Sequence, residues 1–176
     1  MPLNTDKFLT MTSNGIRTLA AGIPVSVGIG SANQIVSTNA NGKLDSSLMP
    51  SGIGSATEVM LASEALSAGD FVNIWDNAGV RSVRKADASN VARFAEGYVL
   101  TSVTNGSSAT VILQGTNTAV TGLTIGVRYY LSHTNPGTAT TTPPPVTTVN
   151  AIVQLLGISV ATTSLNFEFD DFILLS

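Results

Sequence analysis

The sequence predicts an all-β protein: a compact antiparallel β-barrel or sandwich over residues 56–176, preceded by an extended, mostly irregular N-terminal arm over residues 1–55. Two observations predict it. From Gly97 to Phe169, short apolar runs rich in Val, Ile, Leu and Tyr alternate with turns of Gly, Asn, Ser and Thr, the pattern of short strands closed by tight turns. Charged residues are only 11% of the chain, against an ordinary share of about 25%, and Arg128 is the one charged side chain between Gly97 and Phe167. A β-module so poor in charge suits a protein packed against neighbours.

Charge and composition narrow the function classes. The net charge is −3 with a pI near 4.9, and the cations form one loose cluster, Arg81, Arg84 and Lys85. A nucleic-acid groove needs a concentrated basic stripe, so no nucleic-acid partner is expected. Three cations on one hairpin suit a solvated strand edge instead. With no cysteine there is neither a disulfide framework nor a thiolate nucleophile. The start, MPLNTDKFLTMTSNG, lacks the basic-then-apolar order of a secretory signal. No apolar run approaches the roughly 20 residues of a membrane span. The expectation is a protein made in the cytoplasm and used or assembled there, without a membrane partner.

Taken in order, residues 1–55 carry small residues and short apolar pieces (Phe8-Leu9, Ile16, Leu19, Ile23-Pro24-Val25) without a sustained helical or strand period. Such a segment orders best by lying on another chain; a flexible tail or a few irregular strands are the alternatives. Gly28-Ile29-Gly30-Ser31 lacks the third glycine and the strand-to-helix setting of a dinucleotide fingerprint. Ser51-Gly52-Ile53-Gly54 reads as a boundary.

Ala56–Leu66 fits a short helix or, preferably, a strand turning through Ser67-Ala68-Gly69-Asp70 into Phe71–Trp75. Asp76-Asn77-Ala78-Gly79 is a hairpin turn, from which Val80–Lys85 returns. Asp87–Phe94 has room for one helical turn or an irregular crossing. A long strand is expected over Gly97–Thr104, with Asn105-Gly106-Ser107-Ser108 turning into Thr110–Gln114. Val127, Tyr129 and Leu131 share one strand face, and Arg128, Tyr130 and Ser132 the other. The prolines Pro143-Pro144-Pro145 exclude a central strand and imply an exposed loop. Ile152–Val160 and Leu165–Leu175 close the domain, ending on an apolar terminus that is expected to be buried or covered.

Chemistry is scarce. His133 is the sole histidine, with no serine or acid at a motif spacing. Glu168, Asp170 and Asp171 are carboxylates that a hard cation would favour, but no calcium-loop pattern accompanies them. Asp70 and Glu96 flank glycines and read as turn caps. No paired-acid, phosphate-loop or nucleophile motif is present, so neither an enzyme nor a cofactor or small-molecule substrate is expected.

The blocks ALSAGDFVNIW, VRKADAS, EGYVLTSV, ATVILQGTNTAVTGLTIGVRYYLS, VQLLGISV and LNFEFDDFILL, with the arm stretch Gly42–Gly54, resemble a family of β-rich virion proteins of tailed bacteriophages. The resemblance covers roughly residues 42–176. It implies a capsid decoration (cement) protein, trimeric on the capsid exterior and bound to the major capsid protein. Alternatively it implies a tail-fibre or baseplate appendage. The candidate partner-binding side chains are then the apolar ones of the arm and the terminus: Phe8, Leu9, Ile16, Leu44, Leu48, Phe172 and Leu174. A carbohydrate-binding sandwich is the rival from another class, with Trp75, Tyr129 and Tyr130 as the available aromatics.

Overall fold

Alternating apolar runs of both parities need two layers to bury them, and the second half of the chain supplies both. The computed structural model describes residues 7–11, 13–32, 34–40, 42–49 and 56–176. The chain divides into two units, Met1–Gly54 and Ser55–Ser176. Among the described residues the regular structure is strand, punctuated by short 3-10 turns, so the all-β expectation holds. The boundary read at Ser51–Gly54 lies outside the described residues.

The first unit is more regular than its sequence suggests. Strands β1 (Lys7–Met11) and β2 (Arg17–Ala21) pair antiparallel, with Leu9 opposite Leu19 and Phe8 opposite Ala20. Apolar side chains stand on both faces of this ribbon, which hides the period of two. Ile23 then bridges Val36 in parallel. Single 3-10 turns follow at Gly28–Ser31 and Ser46–Leu48. The Asp45 carboxylate accepts from the Ser47 amide at 2.9 Å, and the bonds from Ser47 hold it below the usual carboxylate range.

In the second unit five strands close a barrel in the order β3-β5-β4-β6-β7. They are β3 (Thr57–Ala62), β4 (Phe71–Asn77), β5 (Val80–Lys85), β6 (Gly97–Tyr98) and β7 (Ser108–Ile112). The β4–β5 hairpin forms as its turn predicts. Ala78 (φ 53°) and Gly79 (φ 84°) make the turn, and the Gly79 amide donates to Asp76 Oδ1 at 2.7 Å. The 3-10 turn over Val91–Arg93, capped by Asn90, fulfils the single turn expected there.

One expected pairing does not form, and another forms only in part, with Tyr98 opposite Ile112. β3 does not fold back on β4; it runs parallel to β5 and antiparallel to β7. Before the Ser67–Asp70 turn, Leu66 bridges Val103 antiparallel. The long strand from Gly97 shrinks to two ladder residues for the same reason, since Val103 is held by Leu66 and β7 spends its length on β3.

The remaining strands form a second sheet in the order β10-β9-β11-β12-β8, with β13 also on β11. They are β8 (Gly115–Asn117), β9 (Arg128–Leu131), β10 (Ala139–Thr140), β11 (Ile152–Ala161), β12 (Ser164–Phe167) and β13 (Phe172–Leu174). Two cores result. Met60, Ala62, Val72, Val83, Val99, Ala109 and Val111 fill the barrel, whose small bore suits small and β-branched side chains. Phe71, Tyr98, Leu131, Leu156, Leu165 and Phe167 fill the space against the second sheet. Neighbours in sequence such as Phe71 and Val72, or Tyr98 and Val99, therefore enter different cores. That explains why these runs read as continuously apolar.

Candidate functional site

Strand β11 is the spine of the site. Ile152, Gln154 and Leu156 point into the core and are fully buried. The register shifts between Leu155 and Gly157, after which Ser159 is the inward residue. Gly157 sits at that shift with φ +139°, and a Cβ there would overlap the Asn166 carbonyl oxygen. Buried Gln154 carries its own partners: its Oε1 accepts from the Ala95 amide at 2.7 Å and its Nε2 donates to the Ala95 carbonyl at 2.9 Å. These bonds fix β11 and leave Val153, Leu155, Ile158 and Val160 on the opposite face.

The register extends that face across neighbouring strands. Tyr130 lies opposite Leu155, Arg128 and Asn166 flank Ile158 on either side, and Ile173 lies opposite Val153. Paired residues share a face, so the outside of the sheet is an apolar band. Ile158 is 45% exposed, Val160 55% and Ile173 67%. Beside them, Leu155, Gly157, Ile158, Asn166, Phe169 and the acids Glu168 and Asp170 enclose a hollow of about 360 Å³. A strand that is apolar on both faces is normally covered on both. Here only one side is.

The expected contact residues fall in three places. Phe8 and Leu9 stand on β1 and Ile16 just before β2, while Leu44 and Leu48 flank and end the second 3-10 turn; all belong to the first unit. Phe172 faces inward, stacking on Phe94 at 5.2 Å between ring centroids, and so holds the terminus to the core. Leu174, on the same strand, is about half exposed. Sequence reasoning missed the face of Val153, Leu155, Ile158 and Val160. Its signal was present, because the run IVQLLGISV is apolar at both parities.

Most charge lies elsewhere. On the barrel, Arg81 pairs with Glu58, Lys85 with Asp70 at 3.3 Å and Arg93 with Glu64 at 2.8 Å. Arg84 covers the Trp75 ring at 4.5 Å from its centroid. Within the basic cluster Arg81 and Lys85 are thus paired with acids and Arg84 lies on a ring, so the three are engaged one by one and not presented as a stripe. Asp70 caps its turn as expected, accepting from the Ser67 amide at 2.8 Å. Glu96 instead clamps a strand, accepting from the Ile74 amide at 2.7 Å and from Asn73 Nδ2 at 3.1 Å. Burial raises both carboxyls above their ordinary range, against these bonds and, for Asp70, the Lys85 ammonium.

Neither a protein-family model nor a curated protein matches this chain. The N base of the head fiber gp8.5 in bacteriophage phi29 is a solved structure with a similar backbone course. Its TM-score is 0.47 at 12% identity, over 65% of this chain and 95% of that one.

The other candidate chemistry is dispersed. His133 is half-buried, and its Nδ1 has no hydrogen-bond partner. Among the described residues no three His, Asp or Glu side chains converge to hold a metal ion, and no helix is long and apolar enough to cross a membrane. The aromatics offered to a sugar are largely spoken for. Trp75 is stacked by Arg84 and donates to Ser63 Oγ at 3.0 Å. Tyr129 is buried, its hydroxyl accepting from the Thr124 amide at 2.9 Å. Tyr130 is left, half-buried on the outer face.

Proposed function

We propose that this chain is a structural protein of a phage particle, a capsid decoration protein. In this reading it assembles as a homotrimer on the capsid exterior and cross-links neighbouring major capsid subunits. The observation that carries the proposal is the uncovered apolar face of the second sheet, built on a strand patterned for burial on both sides. Covering that face removes apolar surface from water at about 25 cal/mol per Å². Three copies acting together would add avidity without new contacts per copy. The resemblance of the sequence blocks to β-rich virion proteins supports the same reading. The reading assigns no substrate, cofactor or nucleic acid to the chain.

The test is co-sedimentation of the full chain with capsids stripped of decoration proteins, together with the heat resistance of those capsids. Saturable binding that raises the temperature of capsid rupture is expected. No co-sedimentation, or binding that leaves heat resistance unchanged, overturns the proposal. Copy number per particle separates it from the appendage alternative: hundreds of copies fit a lattice, whereas a few to a few dozen fit a fibre or baseplate part.

A further inference from the structure

The charges of the second sheet form an incomplete set. From Gly97 to Ser176 the charged side chains are Arg128, Glu168, Asp170 and Asp171. The ion pairs among the described residues all lie on the barrel and include none of these four. Arg128 is exposed on β9 opposite Ile158, beside the apolar band. Glu168 and Asp170 rim the hollow on the other side of β11, past the end of β12. Asp170 Oδ1 accepts from the Asp171 amide at 2.9 Å, and Gln154 Nε2 donates to the Asp170 carbonyl at 3.4 Å. That segment is therefore held in place, with its carboxylates free to meet a cation. Neighbouring strands are about 4.8 Å apart. The cation and the acids thus sit on opposite flanks of one band, on strands two spacings or about 10 Å apart.

We infer that the occupant of this face is a second copy of the chain, seated so that Arg128 of one copy enters the hollow bounded by Glu168 and Asp170 of the next. The inference rests on the self-association proposed above and says what fixes its geometry. A copy displaced sideways along the face brings apolar band onto apolar band and cation onto acid. Contacts between two different patches of identical subunits propagate around an axis, and close as a ring where the rotation between copies divides a full turn. Charges at such a rim choose register and exclude wrong alignments more than they add affinity. This explains why the otherwise uncharged sheet keeps both signs on its outer side.

Sedimentation velocity and light scattering on the full chain, at low and at moderate salt, test this. Wild type is expected to be an oligomer. Arg128→Glu, and separately the pair Glu168→Lys with Asp170→Lys, should each weaken assembly about tenfold or more. The chain carrying all three changes should regain it. Since the altered side chains are exposed, circular dichroism and melting should match wild type in every variant. An oligomer indifferent to Arg128→Glu, or a triple variant no better than its parents, overturns this inference and leaves the decoration reading standing. A wild-type chain that is monomeric at every concentration overturns the self-association itself.

Discussion

The β4–β5 flank of the barrel and the outer face of the second sheet are both strand surfaces turned outward, yet they are finished in opposite ways. On the barrel flank every cation meets an acid or a ring within its own chain, and Trp75 is roofed by Arg84. On the sheet, Ile158, Val160, Phe169 and Ile173 are open to water, and Arg128, Glu168 and Asp170 have no ion-pair partner among the described residues. One surface is complete as a monomer and the other is complete only when covered. The difference teaches where to look for function in a chain without catalytic motifs: at the surface whose physical requirements its own fold leaves unmet.

The sharpest way to break the comparison is to damage the sheet and spare the barrel. Gly157→Ala places a methyl group against the Asn166 carbonyl at a backbone conformation with φ +139°, where L side chains are strained. It should cost about 3 kcal/mol or more, measured by urea unfolding, and should abolish assembly with it. The β4–β5 hairpin should keep its amide protection longest during partial unfolding, because its core is separate. Loss of protection in both regions together would show that the two cores fold as one.

How much of this was legible in the sequence follows from the range of the interactions. The Asp76–Gly79 hairpin is specified by four adjacent residues, and it was readable. The Asn90-capped turn is local in the same way. β3 was assigned to the wrong neighbour because its choice of β5 and β7 depends on a bridge between Leu66 and Val103, far apart in sequence. Local pattern carries no information about such closure. The β1–β2 ribbon escaped notice because both of its faces carry apolar residues. The exposed band on β11 was half legible: the double parity of IVQLLGISV marks a strand that is apolar on both faces. Only the fold shows which face is already covered.

A second prediction uses pH to separate the surfaces. Asp70, on the barrel flank, is raised by burial more than Ser67 and Lys85 lower it. Its neutral form is therefore favoured by folding. The corresponding stability is present below the unfolded value near 4 and is lost as pH rises through the higher folded value. Asp70→Asn keeps an oxygen for the Ser67 amide but never ionises. Its melting temperature should gain on that of wild type between pH 4 and pH 7, with oligomeric state unchanged. A deficit that instead widens with pH would mean that the Lys85 pair at 3.3 Å outweighs the burial of the carboxyl. The barrel flank would then depend on its charges more than the comparison allows.

The smallest expected effect is a gain at the tip of the barrel hairpin. Ala78 holds φ 53° beside Gly79 at φ 84°, the pair of positive angles a two-residue hairpin turn needs, and alanine is a poor occupant of the first position. Asparagine tolerates it, so Ala78→Asn should stabilise the chain by about 0.5 kcal/mol and raise the melting temperature by roughly 1–2 °C. The site is exposed and lies at the end of a ribbon whose strands are already paired along their length. The change should therefore leave both assembly and capsid binding untouched. If stabilising this tip altered the oligomer, the barrel hairpin would itself be part of the contact. The division between a finished flank and an unfinished face would then have to be redrawn around Ala78.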